Sequence, residues 1–407
     1  MKSNISKLLL GCTAACAMLL ASCNDAEYDV LENQAYIAQT NTNGNTAKKI
    51  TIGNDEVSTE MSVRVSSPVK KACSFGISTD QAALDSYNKL NSTSYEMLPA
   101  EQYTMSANQV TVDEGASAST PVSINVKPLT NELKASGKKF AIALKIDSKD
   151  GANILKSGKS IVYVLDQVIY QAVPTLNRNN YAKMELRQQN DLTAWTVEMN
   201  INMSVLRTEV GQGNNQAIFA ASGSSGRDGE IYIRFGDAPI EGNRLQIKTQ
   251  GSQMNSNMLF NQQTWYHLAF VCTGTKLYLY VNGVLDNSMD LGGKVVCVDN
   301  ISLASSGSYF LANAMYSEVR LWRVARSQAE IANNMYVIDP HTEGLEAYWK
   351  MNEGQGDEFT DYTGNGNKCK TTSGEPVWTP NVRIDGKYST SLWLVTSPHY
   401  RVCCSSQ

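Results

Sequence analysis

Trp265-Tyr266-His267-Leu268-Ala269-Phe270-Val271-Cys272, then Lys276-Leu277-Tyr278-Leu279-Tyr280-Val281-Asn282-Gly283, reads as two strands and a turn. Asn-Gly tolerates the positive φ angles of a tight hairpin, and such a turn pins the register of the strands it joins. His267 alternates in step with Trp265 and Ala269, which marks it as a structural histidine. Cys272, in an apolar-rich segment, reads as a small buried hydrophobe; a bridge from it to Cys297 is the competing possibility.

Period-two runs continue on both sides of this hairpin. Trp195, Val197, Met199, Ile201 and Met203 alternate with Thr196, Glu198, Asn200 and Asn202, and Ile231, Ile233 and Phe235 alternate with Glu230, Tyr232 and Arg234. Nearer the N-terminus, Met61, Val63 and Val65, then Val122, Ile124 and Val126, then Phe140, Ile142, Leu144 and Ile146 do the same. One helix is expected among these strands. Ser78 and Gln81 have capping-box spacing at its start, and Leu84, Tyr87 and Leu90 would form its apolar stripe, sealing a sandwich. Pro174 to Arg178 reads as the linker between two β modules. The fold expected is all-β, an immunoglobulin-like sandwich over 34–168 followed by a jelly-roll sandwich over 175–384, with 385–407 expected as a disordered tail.

The 407 residues carry 42% apolar and 18% charged side chains, with a formal net charge of -4 and scattered Lys and Arg. No field here would gather a phosphate backbone, so nucleic acid is excluded as a partner. His267, His341 and His399 lie far apart without ligand-like spacing, so a zinc centre is not indicated. Ser222-Gly223 and Ser225-Gly226 lack the strand-turn-helix setting of a nucleophile elbow.

Residues 1–22 have the form of an export signal, with Lys2 and Lys7 ahead of an apolar stretch from Leu8 to Leu20. Leu20-Ala21-Ser22-Cys23 resembles a bacterial lipobox, which implies a lipidated Cys23 at the start of the mature chain, with residues 23–33 as a linker. Asn24, Asp25, Glu27 and Asp29 are similar to the acidic export tag of Bacteroidota surface lipoproteins. That resemblance implies lipid anchoring in the outer membrane and display at the cell surface.

Two further resemblances cover the body of the chain. Asp85-Ser86-Tyr87-Asn88-Lys89-Leu90-Asn91, Tyr95-Glu96-Met97-Leu98-Pro99 and Val110-Thr111-Val112-Asp113-Glu114-Gly115 resemble a domain of unknown function common in Bacteroidota surface lipoproteins. Its relatives precede glycan-binding modules or family-18 endoglycosidases, and it implies the immunoglobulin-like sandwich. Trp265 to Phe270, Leu277 to Gly283, Ser317 to Trp322, a short helix opened at Ser327, Gly344 to Met351 and Asp361 to Asn367 resemble successive blocks of laminin-G-like domains in the concanavalin A-like jelly-roll superfamily.

Glucanases of that superfamily carry Glu, one residue, Asp, one or two residues, Glu on a single strand, so that two carboxylates reach one glycosidic bond. The motif is missing, and neither Glu318 nor Glu198 has a second carboxylate two positions on. Binding remains as the reading. Trp322, beside Glu318 and Arg320, is the candidate sugar platform, with packing against a neighbouring loop as its alternative; Tyr278 and Tyr280 read as cross-strand aromatic contacts. Asp361 and Asn365, with Asn367, are candidate calcium ligands, since the laminin-G-like resemblance implies that cation and Ca²⁺ takes oxygen ligands from flexible loops; an ordinary Asx turn is the alternative. The function expected is a non-catalytic lipoprotein that captures glycan for co-encoded transporters and glycoside hydrolases. A protein-binding adhesin and an accessory glycoside hydrolase are the alternatives.

Overall fold

The structure, a computed structural model, describes residues 33–40, 47–224 and 226–385. The signal-like segment, Cys23 and the tail beyond Asp385 lie outside the described residues. Within them the chain folds as two β-sandwiches, each with its own apolar core.

In the first, a six-stranded sheet runs Ala47–Ile52, Ser160–Gln167, Lys139–Ser148, Cys73–Thr79, Gln109–Val112, with Tyr95–Met97 pairing parallel to Lys139–Ser148. It faces the small sheets Val57–Met61, Val122–Val126, Tyr103–Met105 and Ala35–Ile37, Val63–Val65. The alternating residues Val63, Ile124, Ile142, Leu144 and Ile146 all point into the core between them. The opposite face of the six-stranded sheet is small and apolar, with Ala141, Ala143, Val162 and Val164, and helix Gln81–Asn91 covers it by inserting Leu84.

Two local expectations for that helix fail for traceable reasons. Its N-cap is Asp80, whose Oδ1 accepts from the Ala83 amide at 3.1 Å, because Ser78 is still paired in strand Cys73–Thr79. Leu90 is 85% exposed. A residue six positions beyond Leu84 is rotated by roughly 120° from it at 3.6 residues per turn, so of the expected stripe Leu84 and Tyr87 reach the sheet and Leu90 does not. Leu84→Ala should therefore cost about 2–5 kcal/mol in urea unfolding, and Leu90→Ala should change stability by no more than about 0.5 kcal/mol.

Only two residues, 168 and 169, separate the first sheet's Gln167 from the second sandwich, since Tyr170–Leu176 is already one of its strands. Pro174, expected in a linker, sits inside that strand opposite Trp378 of Val377–Arg383. The ring removes a backbone donor there, and on the other side the ladder to Ala314–Trp322 includes only Thr175 and Leu176. One sheet is ordered Val284–Asp290, Lys276–Val281, Trp265–Cys272, Trp195–Met203, Ala314–Trp322, Tyr170–Leu176, Val377–Arg383, with Leu345–Trp349 also on Ala314–Trp322. The facing sheet is ordered Ser252–Leu259, Arg244–Thr249, Ile231–Phe235, Gln216–Ser222, Val296–Leu303, Ala182–Leu192, Lys368–Thr371. Trp195, Phe219, Ile233, Phe270, Leu279, Leu321 and Trp349 fill the space between them. The Asn282-Gly283 turn forms as expected, with φ of 51° and 76°. Gly283 is also held by packing, since a Cβ there would stand 2.8 Å from Ala332.

Candidate functional site

Trp195–Met203 and Ala314–Trp322 are buried on both faces, so their polar alternates never see solvent. The reason is a strap, residues 323–343, that crosses the outer face of the first-described sheet of this domain. The strap contains helix Gln328–Asn333, opened at Ser327 by a capping box with Glu330, and Ile331 of that helix packs on Ala269, Val271 and Tyr280. Backbone carbonyls of the strap need donors, and the sheet supplies them. Thr196 Oγ1 donates to the Val324 carbonyl at 2.8 Å, Asn200 Nδ2 to Met335 at 3.1 Å and Arg320 to Asn334 at 2.7 Å.

Arg320 is fully buried and is held by two carboxylates, Glu318 and Glu198. A bulge at Glu318, whose φ is 56°, turns its side chain to the same face as Arg320 and Glu198, where the Tyr348 hydroxyl donates to it. Glu198 accepts from His267 Nε2 at 3.2 Å. Burial alone would raise the Glu198 carboxyl, but the His267 hydrogen bond and the guanidinium charges of Arg320 and Arg326 overcome it and hold the group near 2. Burial lowers the His267 pKa against the pull of Glu198, so the imidazole is neutral and donates through Nε2. His267 is thus structural, as its alternation suggests.

This arrangement is a carboxylate pair that sequence spacing could not show, since the two acids lie 120 positions apart. Both are closed to a substrate, being at most 3% exposed and bonded to one guanidinium. Trp322 belongs to the same buried layer. It is fully buried among Ile338, Leu345 and Tyr348 with the Arg326 guanidinium 3.9 Å from its ring centre, so it offers no platform to a sugar. Tyr278 and Tyr280 stack on each other along one strand, 6.2 Å between centroids, rather than across strands.

Asp361, Asn365 and Asn367 do come together, but the donor set does not fit calcium. Asp361 Oδ1 accepts from the amides of Tyr348 and Thr363 and from the Thr363 hydroxyl, and Oδ2 from the Asn367 amide and Nδ2. Asn365 and Asn367 both turn their Nδ2 groups onto the Glu346 carbonyl. Hydrogen-bond donors surround the carboxylate where a cation would need open oxygens, so this is an Asx-built turn that anchors Leu345–Trp349. Cys73, Cys272, Cys297 and Cys369 are free and buried, with no bridge between Cys272 and Cys297.

On the outer face of the seven-stranded sheet, Tyr232, Arg234, Gln246 and Asn255 form a closed net. Tyr232 and Arg234 donate to Asn215, Arg234 also to Gln246 and Asp237, and Gln246 to Asn255. At one end of the sandwich the polar groups are less occupied. Three connections meet there, the 177–180 turn, the 204–215 loop and the 304–313 loop, around a cleft of about 430 Å³. Phe310 and Ala312 form a buried floor and Leu311, 45% exposed, a ledge. Asn177, Asn179 and Asn313 line it, and Arg178 and Arg207 flank it without an ion pair among the described residues. Nothing in the sequence joined these positions; Asn177 and Arg178 lie inside the expected linker, and Asn179 just beyond it.

Residues 31–153 match a family of N-terminal domains, and residues 176–332 match the family described as the Concanavalin A-like lectin/glucanases superfamily. No curated protein matches the chain. Among solved structures, a candidate carbohydrate-binding protein from Bacteroides ovatus is similar at 20% identity and a TM-score of 0.56, over 86% of this chain and 99% of that one. An endoglycosidase of Bacteroides thetaiotamicron, EndoBT-3987, aligns at 20% identity and a TM-score of 0.28 over 33% of this chain and 30% of its own. A pentraxin from Limulus polyphemus aligns at 13% and 0.34, over 50% and 96%.

Removing one member of the buried cluster leaves the others charged without partners. Glu198→Gln is expected to cost about 3–5 kcal/mol, read from urea unfolding. Because Glu198 titrates lower in the folded chain than its ordinary 4.5, its stabilisation is complete above about pH 4.5 and lost as pH falls toward about 2. The wild-type urea midpoint should fall over that window more steeply than that of Glu198→Gln. The second sandwich, through residues 176–332, is a domain that matches the concanavalin A-like lectin/glucanase superfamily.

Proposed function

We propose that the protein is a lipid-anchored surface lipoprotein that binds carbohydrate through the loop-end cleft of its second domain, the first domain acting as a stalk. The observation that carries the reading is the pair Arg178 and Arg207, exposed guanidinium groups without ion partners among the described residues, set beside three asparagines and the Phe310–Leu311 ledge. A sugar presents an apolar face and a rim of hydroxyls, which such a mixture of apolar ledge and amides recognises. Two guanidinium forks add affinity for carboxylate or sulfate on the glycan. Loops on a rigid sandwich are also where binding groups concentrate. Similarity of fold to the Bacteroides ovatus carbohydrate-binding candidate points the same way, and the buried, paired state of Glu198 and Glu318 supports a non-catalytic role. Glycan held here would pass to co-encoded glycoside hydrolases and a transporter. Tyr309, 58% exposed on the same loop as Leu311, favours a protein partner as the second reading.

On a glycan array the purified protein should bind acidic glycans, and Arg178→Ala with Arg207→Ala should weaken that signal by about tenfold or more. Binding that the double variant leaves intact moves the site elsewhere; silence on every glycan with capture of a defined protein ligand supports the adhesin reading. Cys23→Ala should release the protein from the membrane fraction after cell lysis, and retention of the variant there would refute the lipid anchor.

A further inference from the structure

Between the two sandwiches lies a cavity of about 270 Å³. Its first wall belongs to the N-terminal domain, where Ile52, Leu129 and Leu165 give an apolar lining and Tyr95 an aromatic one. Its second wall is the end of the strap, with Asn333, Met335 and Tyr336. The walls are tied together, since Asn333 Nδ2 donates to the Asn91 carbonyl at 3.0 Å. They also meet closely at Gly137, where a Cβ would stand 2.4 Å from the Ile338 carbonyl oxygen. Lys139 stands between this cavity and a second one of about 250 Å³ beside Arg326 and Glu330.

The charges around the cavity are paired except at that residue. Lys49 meets Asp166 at 3.2 Å, Lys138 meets Glu96 at 2.8 Å and Asp385 is held by Arg383. The Lys139 ammonium has no hydrogen bond or ion pair within bonding distance among the described residues. Burial lowers its ammonium toward about 8, Arg320 and Arg326 from the strap side and Lys49 push the same way, and Asp166 opposes them. Tyr95 and Tyr336 are pushed up by burial and stay neutral. A desolvated cation with three free donors in a cavity lined by tyrosines and amides has the composition of a ligand site at a domain interface.

We propose that the inter-domain cavity is a second ligand site, separate from the loop-end cleft, and that it takes one compact sugar acid whose carboxylate pairs with Lys139. The volume lies just below the usual range for ligand pockets, about 300–1,000 Å³, which suits one monosaccharide-sized molecule and no polymer. The carboxylate accepts from the ammonium, the tyrosine faces take the apolar side of the ring, and the Gln167 and Asn333 amides meet hydroxyls. A ligand that touches both walls also stiffens the stalk against the second domain.

The test is calorimetric titration of the purified full chain with D-glucuronate, D-glucose and acetate. Glucuronate should bind, glucose and acetate each at least about tenfold more weakly, and Lys139→Met should lose about tenfold or more of the glucuronate affinity. Lys139→Met keeps the stem and removes the charge, so its unfolding midpoint should match or exceed that of the wild type. The unmodified protein gives a second readout: glucuronate affinity should hold between pH 6 and 7 and fall as pH rises through about 8, when the ammonium loses its proton. Binding at the arginine cleft would not fall there, because guanidinium groups keep their charge. Glucose binding as tight as glucuronate, an unchanged affinity in Lys139→Met, a flat profile to pH 10, or no glucuronate binding at millimolar concentration overturns the proposal.

Discussion

Arg320 is the point through which the parts of this molecule are joined. Its guanidinium holds Glu318 and Glu198 within the sheet and reaches the Asn334 carbonyl on the strap that covers it. A charge taken out of water at this depth is unfavourable unless pairing and hydrogen bonds compensate, so the cluster tolerates few alternative arrangements. That demand explains the bulge at Glu318, the neutral His267 and the placement of Arg326 over Trp322. Each neighbour supplies a group the buried ions need.

The strap is irregular backbone lying on a sheet, and such a segment can be buried only if its carbonyls find donors. Thr196, Asn200 and Arg320 provide them. Once fixed, residues 332–338 become the wall on which the N-terminal sandwich rests, through Asn333 and the close passage at Gly137. The two sandwiches are joined by two residues, 168 and 169, with a strap-built contact beside them. The connection is short, and the contact beside it is fixed by a hydrogen bond from Asn333 to the Asn91 carbonyl.

Function then follows from what this buried layer leaves exposed. The aromatic and acidic residues most prominent in the sequence, Trp322, Glu318 and Glu198, are absorbed into packing and ion pairing. The Asp361 turn is absorbed likewise, its oxygens saturated by amide donors. Among the described residues the guanidinium groups of Arg178 and Arg207 at the loop end and the Lys139 ammonium between the domains have no ion partner, and such groups gain by meeting a ligand.

Period-two alternation determined the all-β class, the two sandwich cores and most strands, because side chains on a strand point alternately to opposite faces and the apolar set must be buried. Asn282-Gly283 and the Ser327 capping box were equally local and equally legible, since each depends on a few adjacent residues. Alternation marks Glu198 and Asn200 as opposite to the core, but it says nothing of what lies over that second face. Only the tertiary structure laid the strap there and turned an apparent solvent face into a buried ion cluster. The same holds for the two candidate sites, since Arg178, Arg207 and Leu311 line one cleft from different loops, and Lys139 and Tyr336 line one cavity from different domains, at separations that no local pattern encodes.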